Sequence, residues 1–457
     1  MRLASLKFKK IIIYLACAGF LSCFIAPETG ADEVAELRKQ LADLRKQMDL
    51  QARQMAEIQR KIADMESAPP AKSGAKQADD DFRVYWKKGL LFKSADDSIA
   101  IKLGGRIQAD FAWMGEGKTV KERLGTLDAP AEFRRLRLYI DGSVYENYVY
   151  KMQVDFAGGE VGFRDVYVGM KNVPYLGLVR IGQFTEPFSL EDMSSSNDIT
   201  FLERSLPYAL SLHRNTGIGF NSTFLDERVT FSAAAFYNAN NYALPTSNAG
   251  NAAVRMTGLP YYEENGARLA HLGVAYALRN PTEEGGDFRY YSEPEVHLAP
   301  NFVDTSAFSG RYANIVGLES LLIHGPFSVQ GEFIQSFVSR KGYSSAGYFE
   351  GLYVYTSYIL TGEHRKYNRD MANVSGVTPR ENFSIKKWTP GALEIAARYS
   401  YLDFNSTDVK GGALSDITIG FNWYLNPNMK IMTNYVHAHP NGVGDADIIA
   451  VRCQANF

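Results

Sequence analysis

The chain has 457 residues, of which 22% are charged, 39 are Gly, 17 are Pro and 3 are Cys; this excludes a disordered tail, a collagen and a disulfide knot. Aromatic residues reach 13%, yet mean hydropathy is −0.22, and no apolar run of ~20 residues follows the N-terminal region. A bundle of transmembrane helices is excluded, and a net charge of −2 with no basic domain argues against a nucleic-acid binder.

Arg2, Lys7, Lys9 and Lys10 precede an apolar stretch from Ile11 to Ala26, the pattern of a secretory signal. Small residues at Thr29, Gly30 and Ala31 place cleavage before Asp32, so residues 1–31 form the signal peptide; Cys23 after Phe20, Leu21 and Ser22 offers a lipoprotein-like alternative. Its removal takes four basic groups and one acidic group, leaving a net charge of −5. Cys17 and Cys23 leave as well, so Cys453 stands alone and no intrachain disulfide can form.

Val34, Leu37, Leu41, Leu44, Met48, Met55, Ile58, Ile62 and Met65 alternate by threes and fours, interrupted at Gln51. This spacing predicts an α-helical coiled coil over residues 32–66, about 50 Å long at ~1.5 Å per residue. So narrow a seam packs only on copies of itself, which implies oligomerisation. Pro69, Pro70, Ser73, Gly74 and Asp79 to Asp81 then make residues 67–81 a linker.

From Phe82 onward the period is two. Ile99, Ile101, Leu103, Ile107, Ala109, Phe111 and Trp113 share one face, while Lys102, Arg106, Gln108 and Asp110 share the other. The alternation recurs at Leu136 to Val144, Tyr148 to Phe156, Leu393 to Tyr401 and Ile417 to Leu425. Near ~10 residues each, these segments are long enough to cross a membrane as tilted strands. Short links at 146–147, 225–228, 324–327 and 426–428 contrast with polar or Gly-rich stretches at 114–131, 185–213, 238–268, 280–312, 361–391 and 403–414. Residues 82–457 are therefore expected to form an all-β, antiparallel transmembrane barrel of about sixteen strands. Ile449, Val451, Cys453, Ala455 and Phe457 alternate to a final Phe, as in the last strand of outer-membrane barrels.

Several stretches resemble the phosphate-selective porin O and P family: Phe82 to Phe92, Lys102 to Asp110, Glu132 to Leu138, Val161 to Tyr167 and, most specifically, Gly182 to Ser205 (GQFTEPFSLEDMSSSNDITFLERS), with Asn422, Trp423 and Tyr424 further on. The likeness covers residues 82–457 and leaves the coiled coil as an addition. It implies a homotrimeric porin in the Gram-negative outer membrane, passing small inorganic or organic anions, with phosphate as a candidate solute. It also implies a constriction lined by arginines of the Gly-Gly-Arg and Phe-Arg-Arg motifs, here Arg106, Arg134 and Arg135.

The alternation supports this. Charge facing lipid costs ~2 to 4 kcal/mol at mid-bilayer, so Arg106, Arg135 and Arg137, with Lys102, Lys151 and Arg180, point inward by parity. Asp110, Asp141, Asp155 and Asp165 share that face and could pair with them as an ordinary ion network. Residues 185–213 are expected to fold inward as a constriction loop bearing Glu191, Asp192, Asn197 and Asp198, with Pro187 ending strand pairing and Ser189 or Ser194 capping a helical turn. Where the family's phosphate-selective members carry lysines, Asp192, Asn197 and Asp198 stand here, which counts against phosphate selectivity. His437 and His439 share a strand face and read as rim residues rather than a metal site. No phosphate loop, nucleophile elbow or H-E-x-x-H motif occurs, so neither an enzyme nor a cofactor is implied. With an even strand number the coiled coil lies in the periplasm, in reach of the cell wall. The competing class is a trimeric outer-membrane anchoring or adhesin module built on the coiled coil.

Overall fold

The computed structural model describes residues 82–126, 130–281, 287–342 and 346–457, with the isolated helical residues Ala56 and Arg60. The signal peptide, coiled coil and linker expected at 1–31, 32–66 and 67–81 lie outside the described residues. Eighteen strands share one sheet, of which Arg83–Trp86 and Leu90–Lys93 form a hairpin at its margin and sixteen close into a barrel. These are β1 (Ile99–Glu116), β2 (Ala131–Val144), β3 (Tyr148–Asp155) and β4 (Gly162–Val173). Then come β5 (Gly177–Thr185), β6 (Arg214–Phe224), β7 (Val229–Ala239) and β8 (Pro245–Glu263). The far wall is β9 (Arg268–Arg279), β10 (Tyr312–His324), β11 (Phe327–Ser339) and β12 (Gly347–Ile359). The circuit finishes with β13 (Ala392–Asn405), β14 (Lys410–Asn426), β15 (Met429–Pro440) and β16 (Ala446–Asn456). Each strand pairs antiparallel with the next, and β16 closes on β1 from Ala446 opposite Glu116 to Asn456 opposite Arg106.

Closure leaves the sixteen barrel strands without a free edge, as a lipid environment demands. The apolar face points out: Ile417, Ile419 and Phe421 are 50%, 55% and 41% exposed, whereas Asp416, Thr418 and Asn422 between them are fully buried inside. The Gly-Gly of the Gly-Gly-Arg motif has a packing reason. A Cβ on Gly104 would stand 2.4 Å from the Tyr139 ring, and one on Gly105 would stand 2.6 Å from the ring of Phe457. Phe457 is also pinned by paired backbone bonds to Gly105 (2.6 and 3.0 Å).

The connections depart from expectation in three places. Residues 238–268 are mostly strand, because β7 continues to Ala239 and β8 runs for 19 residues; their Gly, Ala and Asn content hides a strand whose inward residues (Asn251, Arg255, Thr257) are small or polar. The expected loop at 403–414 shrinks to residues 406–409. Residues 360–391 are long, but join β12 to β13 at the end that carries the short turns, not at the long-loop end. Polar composition marks a connection without saying which end of the barrel it occupies.

Three connections turn into the barrel. Residues 186–213 carry a short helix α1 (Leu190–Met193), capped by Ser189 Oγ accepting from Asp192 N at 3.2 Å. Residues 287–309 form one hairpin with two nested short ladders, Asp287–Phe288 on Phe308–Ser309 and Tyr291–Ser292 on Val303–Asp304. Tyr290 and Phe308 pack on Phe349, Tyr290 also on Phe404, and Phe288 on Tyr290 and Phe308. From the turn end, residues 365–377 reach up to meet the first loop, where Asn373 Nδ2 donates to Met193 O (2.7 Å) and Val374 N to Ser194 Oγ (3.2 Å).

Candidate functional site

The loop 186–213 is a stretch of buried backbone, so its carbonyls need partners. The wall and the turn-end segment supply them in succession: Gln108 to Ser196 O (3.0 Å), Gln454 to Asn197 O (3.2 Å), Arg365 to Asp198 O (3.1 Å), Lys430 to Ile199 O (3.1 Å) and Asn422 to Thr200 O (2.7 Å). Arg452 then takes Leu202 O. At the start of α1, the Glu332 carboxylate of β11 accepts from Leu190 N (3.0 Å), Glu191 N (2.8 Å) and the Tyr353 hydroxyl (2.7 Å). Phe201 fills the lumen beneath Arg398, 4.3 Å from ring to guanidinium, and meets the Tyr355 ring edge-on. The loop is therefore tied to the wall along residues 196–202 and forms a septum across part of the lumen.

Beside this loop, between it and the wall from β2 to β7, lies a cavity of about 990 Å³ that reaches from Asn240 and Asn241 at the loop end to Leu178 and Met371 at the turn end. Ten basic side chains line it, Arg106, Arg134, Arg135, Arg137, Lys151, Arg164, Arg180, Arg204, Arg214 and Arg279, against two carboxylates, Asp165 and Asp192. Six of the ten have carboxylate partners. Arg137 and Arg164 share Asp155 (2.7 and 3.2 Å), Lys151 and Arg214 share Asp165 (2.6 and 2.7 Å), and Arg134 and Arg135 share Glu203 (2.9 and 3.4 Å). The other four have no ion pair among the described residues. Arg106 donates to the hydroxyls of Ser196 and Ser195, Arg204 to the carbonyls of Glu191 and Ser194, and Arg279 to Ser211 O; Arg180 lies over the Phe184 ring at 4.4 Å. Of the four aspartates on the inward face, Asp155 and Asp165 pair with cations of this cavity, Asp110 pairs instead with Arg452, and Asp141 has no ion pair among the described residues; a surplus of positive charge remains on the cavity.

Most sequence-predicted residues meet here. Arg106, Arg134, Arg135, Arg137, Lys151 and Arg180 all line the cavity. Lys102 does not: it faces a smaller cavity of about 160 Å³ on the turn-end side, with Lys88, Lys430, Asn197 and Asp198. Ser194, Ser195 and Ser196 border the first cavity and Asn197 and Asp198 the second, so five consecutive residues separate these two cavities. Glu191 turns to the wall, accepting from Ser205 N (2.9 Å) and Ser205 Oγ (2.6 Å) near Arg398. Arg134 breaks simple parity, since neighbours in a strand point to opposite faces. The register slips between Gln108 and Ala109, with Phe133 opposite Ala109 and Arg135 opposite Gln108, so Arg134 is the extra residue of a bulge and can join Arg135 on Glu203.

Sequence reasoning missed Glu203 and Arg452, which complete this knot. Arg452 donates to both Asp110 oxygens (2.7 and 2.6 Å) and to Glu203 (2.7 Å). Burial opposes ionisation of Glu203, but Arg134, then Arg135 and Arg452, outweigh it and hold the carboxyl far below its usual range. Such a depressed group stabilises the fold above the ordinary carboxylate pKa of ~4.3 and loses that contribution only as pH falls through its own lower value. Asp192 follows the same logic: burial pushes it up, but His213, Arg204 and Ser211 bring it down to about 2.

Set against this geometry, the comparisons with known proteins agree. Residues 101–457 match the family described as Phosphate-selective porin O and P. The chain belongs to that family. This porin is 27% identical to Porin O of Pseudomonas aeruginosa over 428 residues, covering 82% of the chain and 93% of the relative. It is 24% identical over 453 residues to an uncharacterized protein of Caulobacter vibrioides, with 93% and 89% covered. Among solved structures, OmpT, an outer membrane protein of Vibrio cholerae, superposes with a TM-score of 0.50 at 10% identity, over 79% of this chain and 98% of that one, a likeness of fold. The chain is an outer-membrane porin, a channel rather than an enzyme. Its short turns and both barrel termini therefore face the periplasm and its long loops the exterior.

The exterior side of the arginine cavity opens into a further space of about 290 Å³ that shares Arg134, Arg204, His213 and Arg279 with it and adds Glu293. Burial, helped by Glu203 and Glu132 against His297 and Arg134, pushes the Glu293 carboxyl up to about 7. It is neutral below that pH and charged above it. A unit charge ~10 Å from the path at an effective dielectric of ~40 disfavours an anion by about 0.8 kcal/mol and favours a cation by as much, so anion-over-cation permeability should fall roughly tenfold between about pH 6 and about pH 8. Reversal potentials across that range measure it, and Glu293→Gln should flatten the dependence.

Proposed function

We propose that this porin conducts small anions in general, chloride and phosphate among them, through the cavity at Arg106, Arg180, Arg204 and Arg279. The observation that carries this is the surplus of guanidinium groups with no carboxylate partner among the described residues, on a cavity large enough for a hydrated oxyanion. The planar fork of each offers donors matched to oxyanion edges. Selective tight capture of phosphate is not part of the reading. Asp192 stands at the constriction, and Glu203 already occupies the fork between Arg134 and Arg135 that an oxyanion would need. In this reading the barrel works as a homotrimer and the coiled coil at 32–66 lies in the periplasm, in reach of the cell wall.

The test is a reversal-potential measurement on the wild-type protein in planar bilayers, first across a chloride gradient and then with added phosphate. Anion preference with chloride current little reduced by phosphate is expected. Cation preference would overturn the reading, and strong block by phosphate would replace it with a phosphate-selective pore. Unheated electrophoresis of the same preparation should show a trimer-sized band.

A further inference from the structure

The connection between β12 and β13 has two halves that go opposite ways. Its first half enters the lumen, with Arg365 bonded to Glu394 and Asp198, and Arg255 of β8 donating to Ala372 O at 2.7 Å. Its second half, residues 382–390, folds against the outside of the wall. Phe383 N donates to Leu425 O (2.7 Å), the Phe383 ring meets Trp423 edge-on with centroids 4.9 Å apart, and Trp423 Nε1 donates to Pro390 O (2.7 Å). Trp423 continues the outward row of Ile417, Ile419 and Phe421 on β14, so this half lies on the lipid-facing surface at its periplasmic margin.

What it presents there is a closed loop. Ser384 and Thr389 bond each other across its base (3.0 and 3.2 Å), and Thr389 Oγ1 donates to Asn382 O (2.6 Å). The tip is Ile385, Lys386, Lys387 and Trp388. Trp388 is 90% exposed and Ile385 74%, and both lysines are exposed. Exposing an indole and an isoleucyl side chain side by side to water is unfavourable by about 1.5 to 3 kcal/mol for a side chain of that size. Other periplasmic turns show the same habit at Tyr145, Tyr175 and Leu225. Residues 380–388 carry Arg380, Lys386 and Lys387 against Glu381 alone, a positive edge to an apolar tip.

We infer that residues 382–390 are a membrane-interface anchor, in which Trp388 and Ile385 enter the periplasmic leaflet of the outer membrane while Lys386 and Lys387 bind the phosphates of anionic phospholipid. The choice of lipid over a periplasmic protein rests on continuity: the loop is stacked on the lipid-facing row of β14, where the bilayer already lies. Indoles settle at the headgroup level, and lysines place an ammonium among phosphates while their stems lie along the chains. The anchor also joins two environments, since the same connection enters the lumen through residues 365–377.

The experiment uses the full-length protein in vesicles of phosphatidylethanolamine and phosphatidylglycerol. The difference in fluorescence between wild type and Trp388→Phe isolates Trp388. It should be blue-shifted and quenched at least about twofold more by lipids brominated near the carbonyls than by lipids brominated at the chain ends, as an interfacial indole requires. In detergent, titration with phosphatidylglycerol should show about thirtyfold weaker binding for Lys386→Gln/Lys387→Gln, the equivalent of about 2 kcal/mol for two lysines. Both variants lie on a loop tip, so the barrel should remain folded, and unaltered single-channel conductance checks that. Emission from Trp388 that stays red-shifted in vesicles and is quenched by aqueous iodide would overturn the anchor and leave the loop free for a periplasmic partner. Unchanged phosphatidylglycerol affinity would overturn the part given to the lysines.

Discussion

Replacing Arg106 and Arg180 with glutamine should shift the reversal potential in a chloride gradient strongly toward cations while leaving the barrel folded. Neither guanidinium has a carboxylate partner among the described residues: Arg106 rests on the Ser195 and Ser196 hydroxyls and Arg180 on the Phe184 ring. Their removal therefore subtracts positive charge without orphaning an acid. At ~8 Å and an effective dielectric of ~30, each charge shifts an anion by about 1.4 kcal/mol, roughly tenfold in local anion concentration. Arg137→Gln is the contrasting control, because it leaves Asp155, which Arg137 holds at 2.7 Å, with Arg164 alone. That variant should lose stability as well as selectivity. An unchanged reversal potential in the double variant would show that the anion path avoids these two residues.

The second large effect is expected at Glu203. Its carboxylate is the shared acceptor of Arg134, Arg135 and Arg452, and the residues around it tie the septum to β1, β2 and β16. Glu203→Ala leaves three guanidinium groups close together with Asp110 on Arg452 as the one direct ion pair left to them among the described residues. Breaking a buried ion cluster by removing one partner costs about 3 to 5 kcal/mol, so the variant should unfold in markedly less urea than the wild type. It also vacates an anion site. Phosphate should restore part of the lost stability, since a ligand bound only by the folded form stabilises it by mass action, and phosphate should now reduce chloride current where it scarcely does in the wild type. Stability equal to wild type would mean that the loop is held by its carbonyl bonds and Phe201 rather than by this knot.

Much of the architecture was legible along the chain because a membrane barrel writes it locally. Alternation at Ile417 to Leu425 or Ile99 to Trp113 reports which face meets lipid, and that requires only the two-residue period of a strand and the cost of charge in hydrocarbon. The inward direction of Arg106, Arg135, Arg137, Lys151 and Arg180, and the inward-folding loop at 185–213, follow from the same patterns. The rest depended on contacts between residues far apart in sequence. Arg452 and Glu203 meet across 249 positions, and Arg365 and Asp198 across 167; no periodicity encodes such pairs. Arg134 reaches the lumen only because β1 and β2 slip register by one residue, a property of the pair and of neither strand alone. The connection at 360–391 looked like any long loop, yet one half enters the lumen and the other lies on the lipid face. That division is set by where Glu394, Asp198 and Trp423 stand once the barrel has closed, because a polar segment takes the path on which its own backbone groups find partners.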